Sequence, residues 1–403
     1  MFFEFLIASF LGILAGIFTG LTPGIHINLV SLLVVSSAAY LSNIFSFASL
    51  GVFIVSMAIT HTFLDTLPAI FLGAPESETA LSVLPGHKLL LKGMGYEAVK
   101  LTIIGSLMSL LTALFLFPLF IFLVPRIYEG IRVYIGYFLI AIMAYMIFME
   151  NSNDKKFWSL FVFMASGILG LIVLTMPNLG QPLFPLLSGL FGISMLIVSL
   201  MQKTEIPKQS ITDQIKISKK ESVKAIGAAT LTGSFVSFFP GLGPAQAAVI
   251  GSQIVGSLEN YAFLILVGGI NTVNMAVSLV SLYTIEKARN GAVLAIMELL
   301  HSIDFNILLL FIGAMLLAGG VSTFLALYLA RFFVKIIERV NYSLMCIIVI
   351  IFISMLVLYF SSWIGFLILA VSASVGIIPN LVNVKRSHSM GCLILPVILF
   401  FIL

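Results

Sequence analysis

Thr22-Pro23-Gly24-Ile25-His26 interrupts one apolar run near the start of the chain, and Phe239-Pro240-Gly241-Leu242-Gly243-Pro244 interrupts another past its middle. Each break is preceded by an apolar run and followed by a second one. A longer segment with polar residues at mid-length comes next, at roughly 44–73 and 259–285. Proline brings no N–H and glycine marks turns, so each pair breaks a helix. A break facing lipid is costly, whereas one buried in protein leaves backbone N–H and C=O groups free to bind a solute. The expected arrangement is therefore a hairpin that enters and leaves the membrane on one face. The alternative is two full crossings joined by a surface turn, because the first arm, about 20 residues, is long enough to span.

Composition supports a lipid solvent. Of 403 residues, 61% are hydrophobic and only 9% are charged, and the mean hydropathy is +1.19. Soluble domains carry about a quarter charged residues, so a soluble globular protein is excluded. The net charge of +4 reflects loop asymmetry rather than a nucleic-acid partner. Cys346 and Cys392 lie in apolar runs and read as core packing, not as a disulfide or metal site. No basic residue precedes Lys88, so the N-terminus lacks the positive region of a secretory signal and reads as a retained membrane segment.

Apolar runs fit for crossing follow each preamble, at roughly 97–124, 131–149, 157–175 and 183–201, and again at 303–335, 340–360, 361–378 and 389–403. The chain reads as an all-α polytopic membrane protein of two repeats, 1–201 and 223–403, joined by a polar linker, 202–222. With the linker cytoplasmic, sixteen of the twenty Lys and Arg fall on that side, leaving Arg126, Arg132, Lys287 and Arg289 outside. The same count sets 97–124 running outward and 303–335 running inward, an inverted-topology repeat. Residue identity between the halves is slight, little beyond the Pro-Gly pairs and a Thr62/Thr272 match.

Ionisable groups inside apolar runs point to function. His61 and Asp65 stand four apart, on one helix face, flanked by Thr60 and Thr62. A central Asp costs roughly 2.5–3.5 kcal/mol on insertion scales, so Asp65 must pair with His61, bind an ion, or be protonated. These four residues are the candidate site for a coupling H+ or Na+; the bland reading is a satisfied structural pair. The matching stretch of the second half offers Asn271, Thr272 and Asn274, neutral groups suited to a carboxylate or phosphate, or to helix packing. His26 and Asn28 follow Pro23-Gly24, and Gln246 follows Pro240-Gly241 and Gly243, each at the start of a new helix. Free N–H groups and the positive dipole end favour an anion there, and the bland reading is a plain turn. Glu76 and Glu78 follow Pro75 and suit a helix start, with a gate as the functional alternative. No P-loop, paired-Cys metal motif or nucleophile elbow is present in the sequence, and no cofactor is expected.

Several stretches resemble the TctA family, the large membrane subunit of tripartite tricarboxylate transporters. They are Gly20-Leu21-Thr22-Pro23-Gly24, Phe71-Leu72-Gly73-Ala74-Pro75, Pro85-Gly86-His87-Lys88 with Lys92-Gly93, and Phe239-Pro240-Gly241-Leu242-Gly243-Pro244. The resemblance spans most of residues 1–300. It implies ion-driven uptake of citrate-like carboxylates, with a small membrane subunit and an extracytoplasmic binding protein as partners. The chain departs from the family in being shorter and in carrying Glu76 and Glu78 after the Gly-x-Pro step, and it looks like a divergent, archaeal-type branch.

The expectation is thus an ion-coupled secondary transporter of an organic anion in the cell membrane, with one half rocking against the other. A translocase for a polyprenyl-phosphate lipid is the alternative, since paired Pro-Gly hairpins also suit a headgroup phosphate. An intramembrane enzyme would need His26, His61 and Asp65 to converge on a reactive atom. Monomer and homo-oligomer both stay open.

Overall fold

A computed structural model describes residues 2–22, 27–73, 83–177, 179, 181–201, 207–212, 215, 217–237, 243–255, 260–288, 290–337 and 342–403. All regular structure among them is helical. The first half comprises α1 (Phe2–Leu21), α2 (Ile27–Ser36), α3 (Ala38–Leu41), α4 (Phe47–Leu64), α5 (Thr66–Phe71), α6 (Val83–Leu90), α7 (Gly95–Phe115), α8 (Phe117–Ile131), α9 (Ile135–Phe148), α10 (Asn153–Thr175), α11 (Leu183–Leu187) and α12 (Ser194–Met201). The second comprises α13 (Lys219–Ser237), α14 (Pro244–Ile254), α15 (Asn260–Ile285), α16 (Gly291–Leu300), α17 (Phe305–Ile337), α18 (Tyr342–Leu381) and α19 (Gly391–Ile402). Eight helical stretches among the described residues are long and apolar enough to cross a membrane, which makes this a multi-pass membrane protein.

Boundaries moved where proline or strain intervenes. The expected 97–124 crossing ends at Phe115, because Pro118 cannot bond the carbonyl four residues back. The two short spans expected at 340–360 and 361–378 form one element, kinked at Ser362, whose φ is 56°. Residues 188–193, within the expected 183–201 span, are π-helical.

Small residues set which helices meet and in which direction. On α1, Gly12 faces Phe53 and Ser56, Gly16 faces Met57 and Thr60, and Gly20 faces His61 and Leu64. The two helices therefore run parallel and in step. Glu4 Oε1 accepts bonds from Ser46 N (2.6 Å) and Ser49 Oγ (2.7 Å), so their starts lie level. Without a hydrophobic force between helices in lipid, such close van der Waals contact is the main source of association.

Phe71 lies beside Gly95 and Thr66 beside Thr102, so α7 runs opposite to α4 and α5. Tyr261 reaches Met94, and Gly105 and Gly269 abut Ile265 and Ser109, so α15 runs along α7. Phe311 packs on Gly51 and Ser322 on Thr60, so α17 runs along α4. Each long central helix thus pairs with a helix of the other half.

Two bundles result. The first contains α1–α8 and α13–α17; the second contains α9–α12, α18 and α19, the closing portions of both halves. Among the described residues, helix backbones of the two approach over several residues at the α8–α9 junction and where α14 meets the Arg386–Met390 turn.

Candidate functional site

The centre of the first bundle is a polar seam between α4, α7 and α15. Pro68 has no N–H to give the Leu64 carbonyl, so the helix breaks into α4 and α5 with Asp65 at the joint. Asp65 is buried, with 1% of its surface exposed. Asn271 on α15 donates from Nδ2 to Asp65 Oδ2 at 2.7 Å, a short charge-assisted bond if the acid is ionised. Asn271 Oδ1 is enclosed and meets no hydrogen-bond donor.

The neighbouring hydroxyls settle much of the proton bookkeeping. Thr62 Oγ1 donates to the Ile59 carbonyl (2.8 Å) and lies 3.0 Å from Thr272 Oγ1, so its remaining capacity toward Thr272 is as an acceptor. By the same reasoning Thr102, which donates to the Val99 carbonyl (2.8 Å), accepts from Thr66 at 3.2 Å. Thr19 donates to the Gly16 carbonyl (3.3 Å) and so receives its bond from His61 Nδ1, 3.1 Å away, which assigns the ring proton to Nδ1. Ser322 donates to Thr60 Oγ1 (3.0 Å) and Ser106 to the Gly268 carbonyl (3.0 Å).

The structure thus brings Thr60, His61, Thr62, Asp65, Asn271 and Thr272 together, all buried. Asn274 is buried on the same helix, its carbonyl accepting from Ser278 (2.6 Å). Asn28 is exposed at the start of α2 and packs against Gly291 of α16, and Gly243 stands half-buried just before α14. Pro23, Gly24, His26, Pro240 and Gly241 lie outside the described residues, as do Glu76, Glu78 and the side chain of Gln246.

Sequence reasoning passed over Thr19, Thr66, Thr102, Ser106 and Ser322, the second layer of the seam. A hydroxyl in the middle of an apolar run was the available signal. It also passed over a buried group in the second bundle. Arg386 Nη2 donates to the carbonyls of Leu190 (3.0 Å) and Phe191 (3.1 Å) and to Ser194 Oγ (2.5 Å), bracing the π-helical turn. Beside it His388 Nε2 lies 3.1 Å from Glu150 Oε1.

At the edge of the seam, His87 on α6 bonds through Nδ1 to the Ile70 carbonyl (3.1 Å), tying down the end of α5. Burial holds its pKa below the ordinary 6.5, outweighing the opposite pull of that bond. The linker clasps the adjoining turn. Gln209 accepts from Gly95 N (3.0 Å) and donates to the Leu90 carbonyl (2.9 Å), while Ser210 N donates to the Gly93 carbonyl (2.8 Å).

Buried carboxylate, amides and hydroxyls meeting across two halves at a helix break are what an ion or polar solute needs in place of water. Comparison with known proteins agrees. Residues 6–391 match the family described as "Tripartite tricarboxylate transporter TctA family". A Methanocaldococcus jannaschii protein, described as "Uncharacterized protein MJ1079", is 32% identical over 403 residues, covering 97% of this chain and 98% of that protein. No solved structure matches. The chain belongs to the TctA family, a family of membrane transporters and not of enzymes.

Proposed function

We propose that the protein is an ion-coupled secondary transporter for an organic anion of the tricarboxylate class, working by alternating access. The observation that carries this is the Asp65–Asn271 bond, a buried carboxylate of one half held by an amide of the other at a broken helix. A group so placed changes its surroundings whenever the two sides of the seam move, and its affinity for H+ or Na+ changes with them. In this reading His61, Thr60 and Thr62 assist Asp65 in taking up the ion. The anion is held by Pro23, Gly24, His26 and Asn28, by Pro240, Gly241, Gly243 and Gln246, and by Asn271, Thr272 and Asn274.

The opposed directions of α4 and α15, and the pairing of each with a partner from the other half, support reading the halves as an inverted repeat. The basic residues of the linker support a cytoplasmic linker and a cell-membrane location. Family membership supports a small membrane subunit and an extracytoplasmic binding protein as partners. The test is uptake of labelled citrate into proteoliposomes under an imposed Na+ or pH gradient. Accumulation above the equilibrium level under one of them is expected. Equilibration at the same level with and without either gradient would overturn the coupling.

A further inference from the structure

We infer that the moving body in this transporter is the first bundle, drawn from both halves of the sequence, and that it slides along the second bundle as a unit. This rests on the alternating-access reading but differs from a rocking of half against half.

The first bundle is locked on itself across the halves. Gly105 and Gly268 lie so close to Ile265 and Thr102 that a Cβ would overlap their backbone carbonyls. Thr62–Thr272, Ser106–Gly268, Ser322–Thr60 and Asp65–Asn271 are all bonds between residues of different halves within that bundle. Separating the halves would strip these groups of their partners in a solvent that offers no replacements. The second bundle is locked in the same way. Gly170 abuts the Cys392 carbonyl, Gly376 that of Leu190 and Gly391 that of Phe163, and Arg386 spends its bonds on the π-helical turn.

Contacts between the bundles are of another kind. Phe138 on α9 meets Phe235 on α13 with ring centroids 6.0 Å apart. Gly73 meets the bundle through the Leu196 side chain rather than through backbone. Two close-packed units facing each other through apolar side chains can shear without breaking hydrogen bonds. All described candidate site residues travel with the first unit.

The test uses two aromatic pairs, each joining residues of opposite halves. Phe71 and Phe333, with ring centroids 5.5 Å apart, lie within the first bundle. Phe138 and Phe235 join the two bundles. The double variants Phe71→Cys/Phe333→Cys and Phe138→Cys/Phe235→Cys are bridged with a short reducible dithiol reagent; the native Cys346 and Cys392 are buried. Bridging the Phe138/Phe235 positions should cut citrate uptake about tenfold, reversibly on reduction, while bridging Phe71/Phe333 changes it by less than about twofold. Arrest by both bridges, as half-against-half rocking requires, would overturn the inference.

A second measurement needs no substrate. Spin labels at Leu111 and Leu231, exposed in the first bundle on opposite halves, should give one narrow distance in lipid vesicles. Leu231 and Leu367, in the same half but different bundles, should give a broad or two-component distribution. A narrow Leu231–Leu367 distance, with and without citrate and Na+, would overturn the inference. Absence of citrate uptake with these distributions as expected would instead fail the substrate assignment and leave the moving body standing.

Discussion

Helices α4 and α15 have matching places in their halves, yet they divide the chemistry unequally. α4 ends on His61 and Asp65, while α15 presents Asn271, Thr272 and Asn274 and, from Asn260 to Ile285, no ionisable side chain except tyrosine. Between them the seam has one acid, and its amide donor comes from the opposite half. The lesson is that a repeat can keep one geometry and specialise its copies: one side takes the charge, the other supplies neutral groups that stabilise it. A single Asp desolvated this way is costly, which argues for a role beyond packing.

The comparison can be broken first at its scaffold. Gly16→Leu should have the largest effect, because a Cβ there already meets the Met57 carbonyl and Thr60 at 2.6 Å. It should force α1 off α4, and folded protein recovered by size-exclusion chromatography should fall to background; recovery near wild type would show that the α1–α4 contact gives way cheaply.

Next comes the division of labour itself. Asn271→Ala removes the donor to Asp65 and should destabilise by about 1–3 kcal/mol if the acid is left ionised, read as a lowered midpoint in thermal unfolding. Asn271→Asp would place two carboxylates together, raising one pKa, and should leave uptake working only at lower pH. Equal uptake across pH in both variants would show that the amide is not partner to a working carboxylate.

A smaller effect is expected where the halves match. Thr62→Val and Thr272→Val each delete one hydroxyl of a buried pair, and the double variant should cost less than the sum, with a coupling of about 0.5–1.5 kcal/mol. Strict additivity would remove the bond from the account.

Smallest is a pH effect at the edge of the seam. His87 is buried and neutral, its folded pKa depressed below 6.5. The unfolded state therefore binds the extra proton first, so the contribution of His87 is complete above about pH 6.5 and is lost as pH falls toward its folded pKa. His87→Gln should flatten this part of the stability profile between about pH 5 and 6.5. An unchanged slope would contradict it.

Much of this was legible in the sequence because lipid is an exacting solvent. Apolar runs and the Pro-Gly breaks located the helices, and His61, Asp65 and Asn271 stood out since polar groups in such runs are expensive. The pairing of Asp65 with Asn271 was not legible, because residues 206 positions apart meet only once α7 and α15 align. Nor was the continuous α18, since periodicity cannot tell a kink at Ser362 from a turn. The bracing of the π-helical turn by Arg386 was hidden for a different reason: its basic charge fitted the loop-charge rule equally well.

The account stands or falls on Asp65 as the coupling residue. The direct measurement is citrate movement in proteoliposomes with Asp65→Asn, scored twice: net accumulation under an ion gradient, and exchange of labelled for unlabelled citrate without one. The prediction is that accumulation falls to the equilibrium level while exchange persists. Accumulation by the variant at the wild-type level would contradict it.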